Sequence, residues 1–351
     1  MIWLTWRQFR GSAALTAAVL GVLAAVLVLT GPRLAAGYSA GLAACTREGA
    51  CDRFFDAFFD TYQLPFLAVT LLVLLLPALV GLFWGAPLIT RELEAGTHLL
   101  VWNQSVTRGR WLAVKLGLTG LAAVAAAGVC GLAVTWWSGP LDRSAPAGFA
   151  VMDPLIFSAR GIAPMGYAAF AFVLGVSVGM LVRRTLPAMA LTLAVFTALQ
   201  LAVPLLVRPH LMTPVTATSQ LGQGNVDHLG IRGDGGGPPE VRLESAVPGQ
   251  AGAWVLASRL LDPSGRVMPG GGEDGHGLIP VSTTSGPCAP QSAAGGGACL
   301  AEINRLGYRQ QAEYHPLGRF WPFQWLETGL YALLTLGLTG FCFWWIRRRL
   351  S

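Results

Sequence analysis

With 351 residues, 53% of them hydrophobic and only 12% charged, the chain has too little charge to solvate a globular surface. A soluble protein carries about 25% charged residues, so composition points to a membrane protein. The net charge of +6 does not indicate nucleic-acid binding, because no basic stripe is interleaved with aromatics and the basic residues stand beside apolar runs.

Residues 1–10 read as an amphipathic interfacial helix, with Ile2, Trp3, Trp6 and Phe9 on one face and Arg7 and Gln8 turned away. A plain basic anchor that sets topology needs only Arg7 and Arg10. Six apolar stretches then follow, each long enough for the ~20 residues that cross a hydrocarbon core. They are Ser12–Thr30, Leu64–Ile89, Leu112–Trp136, Ile162–Val182, Leu186–Val207 and Phe323–Ile346. The first also has features of a signal peptide, with a basic start and Leu34-Ala35-Ala36 as a cleavage-like site. Its 19-residue run exceeds the core of such a peptide, and the uncleaved reading is expected. The second stretch holds Pro65, Pro77 and Pro87 and is expected to be kinked.

Positive charge in the short connections sets orientation. With the N-terminus inside, the inner segments carry 11 basic residues against Glu92 and Glu94, and the outer segments 13 against 16 acidic ones. The expected fold is therefore an all-α membrane protein with six spans, N-in and C-in. Trp136, Trp137, Trp321 and Trp325 fall at the outer interface, and Trp111, Trp344 and Trp345 at the inner one.

Residues 31–63 read as an outer loop carrying Cys45 and Cys51. Residues 208–320 read as a small irregular extracytoplasmic domain carrying Cys288 and Cys299. The outer side is oxidising, and short separation favours the disulfides Cys45–Cys51 and Cys288–Cys299. Four free thiols or cross-pairing between the segments are the alternatives. Within the domain, 221–250 and 264–300 are rich in Gly, Pro and Ser and read as loops. Ala253–Asp262 reads as a strand followed by a Pro-Ser-Gly-Arg turn, and Ala298–Ala312 as a helix.

The inner loop 90–111 differs from a pure topology loop. It mixes Glu92 and Glu94 with Leu99, Leu100, Val101 and Trp102, an amphipathic set that suits docking. A surface helix in the headgroup region is the alternative.

Catalytic chemistry is not visible. Gly175-Val-Ser-Val-Gly179 fits the nucleophile-elbow pattern, but that motif needs a strand-to-helix turn and this one lies mid-span. Gly175 and Gly179, like Gly81 and Gly85, fit close helix packing instead. The histidines show no metal-ligand spacing, and no nucleotide-binding motif is present. Glu327 is the one acid near a span. It reads as interfacial, reaching outer water or pairing with Arg319, so the spans are expected to hold no buried carboxylate.

Three segments resemble the membrane permease subunits of ABC type-2 exporters in their actinobacterial form. They are Trp3-Leu-Thr-Trp-Arg-Gln-Phe-Arg10, the pair Glu92-Leu-Glu-Ala-Gly-Thr97 and Val106-Thr-Arg-Gly-Arg-Trp111 with Lys115, and Gly307 to Glu327. The resemblance implies a coupling helix in the inner loop that docks on a separate ABC ATPase subunit through Glu92, Glu94, Gly96, Thr97 and Arg108. It also implies a second permease copy, the same or different, with ATP and Mg bound in the partner ATPase and no cofactor, metal or catalytic residue in this chain. The long segment before the last span departs from the short re-entrant helices usual in that family, so its role is not carried over. The expected function is the permease of an ATP-driven exporter in the bacterial cell membrane, moving a hydrophobic or amphipathic substrate and touching lipid but no nucleic acid. The alternatives are a non-transporting sensor or immunity component whose outer domain binds a ligand, and a membrane enzyme, which would need a polar catalytic cluster in the outer domain.

Overall fold

The computed structural model describes residues 2–48, 51–96, 107–146, 149–231, 239–268, 276–282, 285–289 and 295–348. The chain forms two units. A helical unit comprises Met1–Ser144, Pro154–Leu211 and Trp321–Ser351, and a smaller unit comprises Ala145–Asp153 and Met212–Phe320.

The helical unit contains α1 (Ile2–Glu48), α2 (Cys51–Val80), α3 (Ala86–Glu94), α4 (Arg108–Trp137), the short α5 (Gly139–Arg143) and α6 (Pro154–Ser158), α7 (Ala163–Val182), α8 (Thr185–Ala202) and, at its end, α10 (Phe320–Arg348). Six helical segments are long and apolar enough to cross a membrane: Thr16–Arg47, Arg53–Glu94, Arg108–Trp137, Ala163–Val182, Thr185–His210 and Leu317–Arg348.

Residues 31–48 and 51–63 are helical, not a loop. At 47 residues, α1 is about 70 Å long, well beyond what a bilayer requires. Ala35, Ala36, Ala40, Leu42, Ala43 and Ala44 are strong helix formers and carry the helix past Pro32 to Glu48. Cys45, near the end of α1, and Cys51, at the start of α2, are disulfide-bonded. Below this bridge, Tyr38 meets Phe54 and Phe58 with ring centroids 6.2 and 5.7 Å apart. The N-terminal segment is likewise continuous with α1, since nothing between Arg10 and Ser12 breaks the helix. Its expected apolar face of Ile2, Trp3, Trp6 and Phe9 lies outside the described side chains.

α7 is the centre of the bundle. Its most apolar stretch is 78% buried, against 22% for α1 and 17% for α10, as expected of a helix that is apolar all round. Between α2 and α3, Gly81–Gly85 form a π-helical turn, a local widening of the helix in the proline-bearing second span. This turn packs directly on α7. A Cβ on Gly175 would sit 2.7 Å from the Ala86 nitrogen, and one on Gly179 2.9 Å from the Ala86 oxygen. A Cβ on Gly81 would meet the Ala171 carbonyl at 2.8 Å. The two glycine pairs thus face one another, backbone against backbone. A second π turn, Val203–Val207, surrounds Pro204 at the end of α8.

The smaller unit is sheeted rather than irregular. Strands β1 (Val215–Ser219), β2 (Val226–Ile231), β3 (Pro239–Leu243), β4 (Trp254–Leu261), β5 (His276–Leu278) and β6 (Arg309–His315) form two antiparallel three-stranded sheets, ordered β1-β6-β4 and β2-β3-β5. β2 and β3 lie where loops were expected. Helix α9 (Gly295–Arg305) ends at Gly307, whose φ of +100° needs glycine. The second half of the expected 298–312 helix is therefore β6. Leu221, Val241, Leu243, Leu260, Ile279, Leu300, Ile303 and Tyr308 form the core, and the Cys288–Cys299 disulfide closes on it. The unit also starts later than residue 208 and takes in residues 145–153.

Candidate functional site

Two polar clusters lie at opposite ends of the helical unit, because successive spans alternate in direction; the second is wholly buried and the first only around Glu92 and Lys115. The first surrounds the C-terminus of α3. Glu92 points inward, and the Lys115 ammonium of α4 donates to its Oε1 at 2.5 Å. Lys115 also donates to the Leu88 carbonyl and lies 4.8 Å from the centre of the Trp111 ring. A buried charge must be paired and hydrogen-bonded, and the only lysine of the chain meets that need. One turn on, Glu94 accepts from the Thr185 amide at 2.8 Å and from its hydroxyl at 2.7 Å. It thereby caps the first turn of α8, where an acid is favoured by the helix dipole. Thr90 completes the cluster, sharing a 2.9 Å hydrogen bond with the Thr185 hydroxyl.

Both expected docking carboxylates are therefore engaged within the chain. Glu92 is a buried strut between α3 and α4, whereas Glu94 links α3 to α8 while remaining exposed. Gly96, at φ +68°, ends α3, and Arg108 opens α4 behind the Thr107 cap. Thr97 lies outside the described residues.

The second cluster joins α6, α7, α8 and α10. Arg208 follows α8, and its Nε and Nη2 donate to Glu327 Oε2 and Oε1 at 2.6 and 2.9 Å. Both side chains have zero exposure. The Tyr167 hydroxyl donates to Glu327 Oε1 at 2.5 Å, and Arg208 Nη2 also donates to Ser158 Oγ at 3.0 Å. The guanidinium lies 4.2 Å from the centre of the Phe157 ring. One turn earlier on α10, Gln324 Oε1 accepts from the amides of Ile162 and Ala163 at 3.0 and 2.7 Å, satisfying orphan donors at the start of α7. Glu327 is thus a fully buried carboxylate paired with Arg208, not an interfacial acid reaching water or Arg319. Arg319 instead donates to the Thr213 carbonyl.

Beside this cluster, Arg160 donates through Nη1 to both oxygens of Asp142 at 2.8 Å. Burial pushes the Asp142 carboxyl up from its ordinary value, with Arg160 opposing the shift. Burial likewise draws the Arg160 guanidinium down. Among the described residues, Arg208 Nη1 and Arg160 Nε and Nη2 have no hydrogen-bond partner.

Sequence reasoning missed this second cluster. A signal was present: Arg208 ends an apolar stretch and Glu327 begins the next, with the inserted segment between them. Ionisable residues at the edges of spans pair across the bundle when a partner of opposite sign stands at the same depth. No group of three or more His, Cys, Asp or Glu able to hold a metal occurs among the described residues.

What this arrangement offers chemically is mechanical. It ties helices together at both ends through polar side chains. No curated protein and no solved structure matches the chain. A family model described as ABC-2 membrane transporter related matches residues 17–208, which run from α1 to the end of the fifth span and cover more than half the chain. Six candidate spans and this match together make the protein a multi-pass membrane protein of the ABC-2 permease type, and the chain belongs to the ABC-2 membrane transporter related family.

Proposed function

We propose that the chain is the membrane permease subunit of an ATP-driven exporter, carrying a hydrophobic or amphipathic substrate out of a bacterial cell. The Glu92 end faces the cytoplasm, where a separate ATPase binds ATP and Mg. The sheeted unit lies outside, and a second permease copy completes the transporter. This chain performs no catalysis of its own.

The observation that carries this reading is the anchoring of the segment between α3 and α4. Glu92–Lys115 and Glu94–Thr185 tie its near side to α4 and α8. A push on residues 95–107 therefore reaches two spans, α4 through the buried Glu92–Lys115 pair and α8 through the exposed Glu94–Thr185 bonds. ATP-driven closure of the ATPase would rock α4 and α8 around the tightly packed α7.

The test is co-purification of the full chain with an ATPase. A Glu92→Leu/Lys115→Met double variant should still assemble with the ATPase while losing most of the permease-dependent change in ATP turnover. The reading is overturned if no ATPase accompanies the wild-type chain. It also goes if a cysteine placed at position 95 is labelled by an impermeant thiol reagent in intact cells, since that end would then face outside.

A further inference from the structure

A groove of 450 Å³ runs between α1 and α2, lined by Ala18, Val19, Val22, Leu23 and Val26 on one side and Ala68, Val69 and Leu72 on the other. Every lining side chain is apolar, and the two alanines leave its depth. Residues 18–26 rise about 12 Å along the axis, close to the ~15 Å of half a hydrocarbon core. A shallow apolar slot of this length has the dimensions of one acyl chain in one leaflet.

The groove has a polar end. Steps of seven residues return to nearly the same direction on a helix, drifting only about 20° each. Val19, Val26 and Arg33 therefore share one stripe of α1, which is helical throughout. Arg33 is exposed and sits about 10 Å beyond Val26 along the axis. No carboxylate among the described residues lies within ion-pair distance of it. An apolar slot that leads to an unpaired guanidinium complements an anionic amphiphile in both shape and charge.

We infer that this groove binds one acyl chain of an anionic phospholipid whose phosphate meets Arg33. The inference goes beyond the transport reading and needs only that α1 and α2 cross a bilayer. Lipid tails are as apolar as the groove, so the slot retains a chain by shape and packing and cannot choose between headgroups. Both headgroups offer a phosphate that the planar fork of Arg33 can hold bidentately; preference comes from net charge, because the choline ammonium cancels the phosphate charge of phosphatidylcholine and repels the guanidinium. The groove places the headgroup, and Arg33 selects it.

The test is native mass spectrometry of the purified full-length chain, incubated with equal amounts of phosphatidylglycerol and phosphatidylcholine of the same acyl composition. Wild type should retain one phosphatidylglycerol per chain with at least fivefold preference over phosphatidylcholine. Arg33→Gln should level the preference and leave retention of the acyl chain. Ala68→Leu and, separately, Ala18→Leu fill the slot and should lower retention of both lipids at least fivefold. Ala18 is exposed, so its variant remains informative if Ala68→Leu does not fold. Equal retention of the two headgroups by wild type overturns the inference, as does unchanged retention in the filled variants. No arm uses ATP or a partner, so failure of the permease reading and failure of this site are distinguishable.

Discussion

The two ends of the helical unit solve the same problem with different joints. At one end, a lysine on a flexible stem meets Glu92 through a single short bond, and 10% of the glutamate side chain is exposed. At the other, the planar fork of Arg208 holds both oxygens of Glu327, Tyr167 donates to the same carboxylate, and neither charged side chain has any exposure. A point charge on four methylenes tolerates reorientation, whereas a bidentate guanidinium fixes angle as well as distance. The Lys115 joint can therefore turn while staying paired, and the Arg208 joint can only hold or break. In the proposed transporter this places the compliant joint beside the ATPase and the rigid one where the chain leaves for the sheeted unit and returns from it.

Cutting one side of the rigid joint is the severest test of this contrast. Glu327→Leu leaves Arg208 buried and uncompensated, which costs about 3–5 kcal/mol. Replacing both partners, Arg208→Met/Glu327→Leu, should recover most of that loss, because apolar groups of similar volume often substitute well for a buried pair. Thermal unfolding of the detergent-purified chain reads both. If the double variant melts as low as the single, the stabilisation lies in packing around Glu327 and the joint is not an ion-pair clasp.

Glu92→Leu should cost less, about 2 kcal/mol, since a buried charge loses its partner but Lys115 keeps the Leu88 carbonyl and the Trp111 ring. Equal losses for Glu92→Leu and Glu327→Leu would erase the distinction between the joints. Smaller again is Tyr167→Phe. It removes one hydrogen bond to a charged group, about 1.5 kcal/mol, while both Arg208 bonds to the carboxylate remain. A loss as large as that of Glu327→Leu would mean that the tyrosine, not the arginine, is the main partner.

The contrast also marks what the sequence could show. The six spans were legible because length and hydropathy are local properties. Glycines at 81, 85, 175 and 179 were legible as packing residues by their spacing, although which pair faces which was not. Neither joint was legible, because each pairs residues distant in sequence: Glu92 with Lys115 23 residues on, and Arg208 with Glu327 119 residues on. Glu92 and Glu94 stand out in the sequence as unusual, but nothing local says that Glu92 turns inward while Glu94 stays exposed. In the sheeted unit, β6 was hidden for a different reason. Its inward positions are Gln310, Ala312 and Tyr314, so the alternation that marks a half-buried strand starts with a polar residue. Gln310 is fully buried only because Asn225 donates to its Oε1 at 2.7 Å and its own Nε2 donates to Ser258 Oγ at 2.9 Å. That network is a tertiary fact. The helix reading of 298–312 failed at Gly307, where a left-handed residue ends α9 and turns the chain into the strand.

The gentlest test concerns Glu94, which is exposed yet caps α8 from another helix. Glu94→Ala should leave the unfolding temperature almost unchanged, because a water molecule can replace an exposed acceptor. The effect should be local. The Thr185 amide loses its only protein acceptor among those described, and the first turn of α8 frays. Amide hydrogen exchange should rise at Thr185 and the adjoining turn, with no change along α7. Glu94→Gln, which keeps an acceptor oxygen, should restore most of the protection. If exchange at Thr185 is the same in wild type and Glu94→Ala, the carboxylate does not hold α8. The Thr90–Thr185 hydrogen bond would then be the remaining polar link between α3 and α8 among the described residues, and a push on residues 95–107 would reach α4 through Lys115 more strongly than α8.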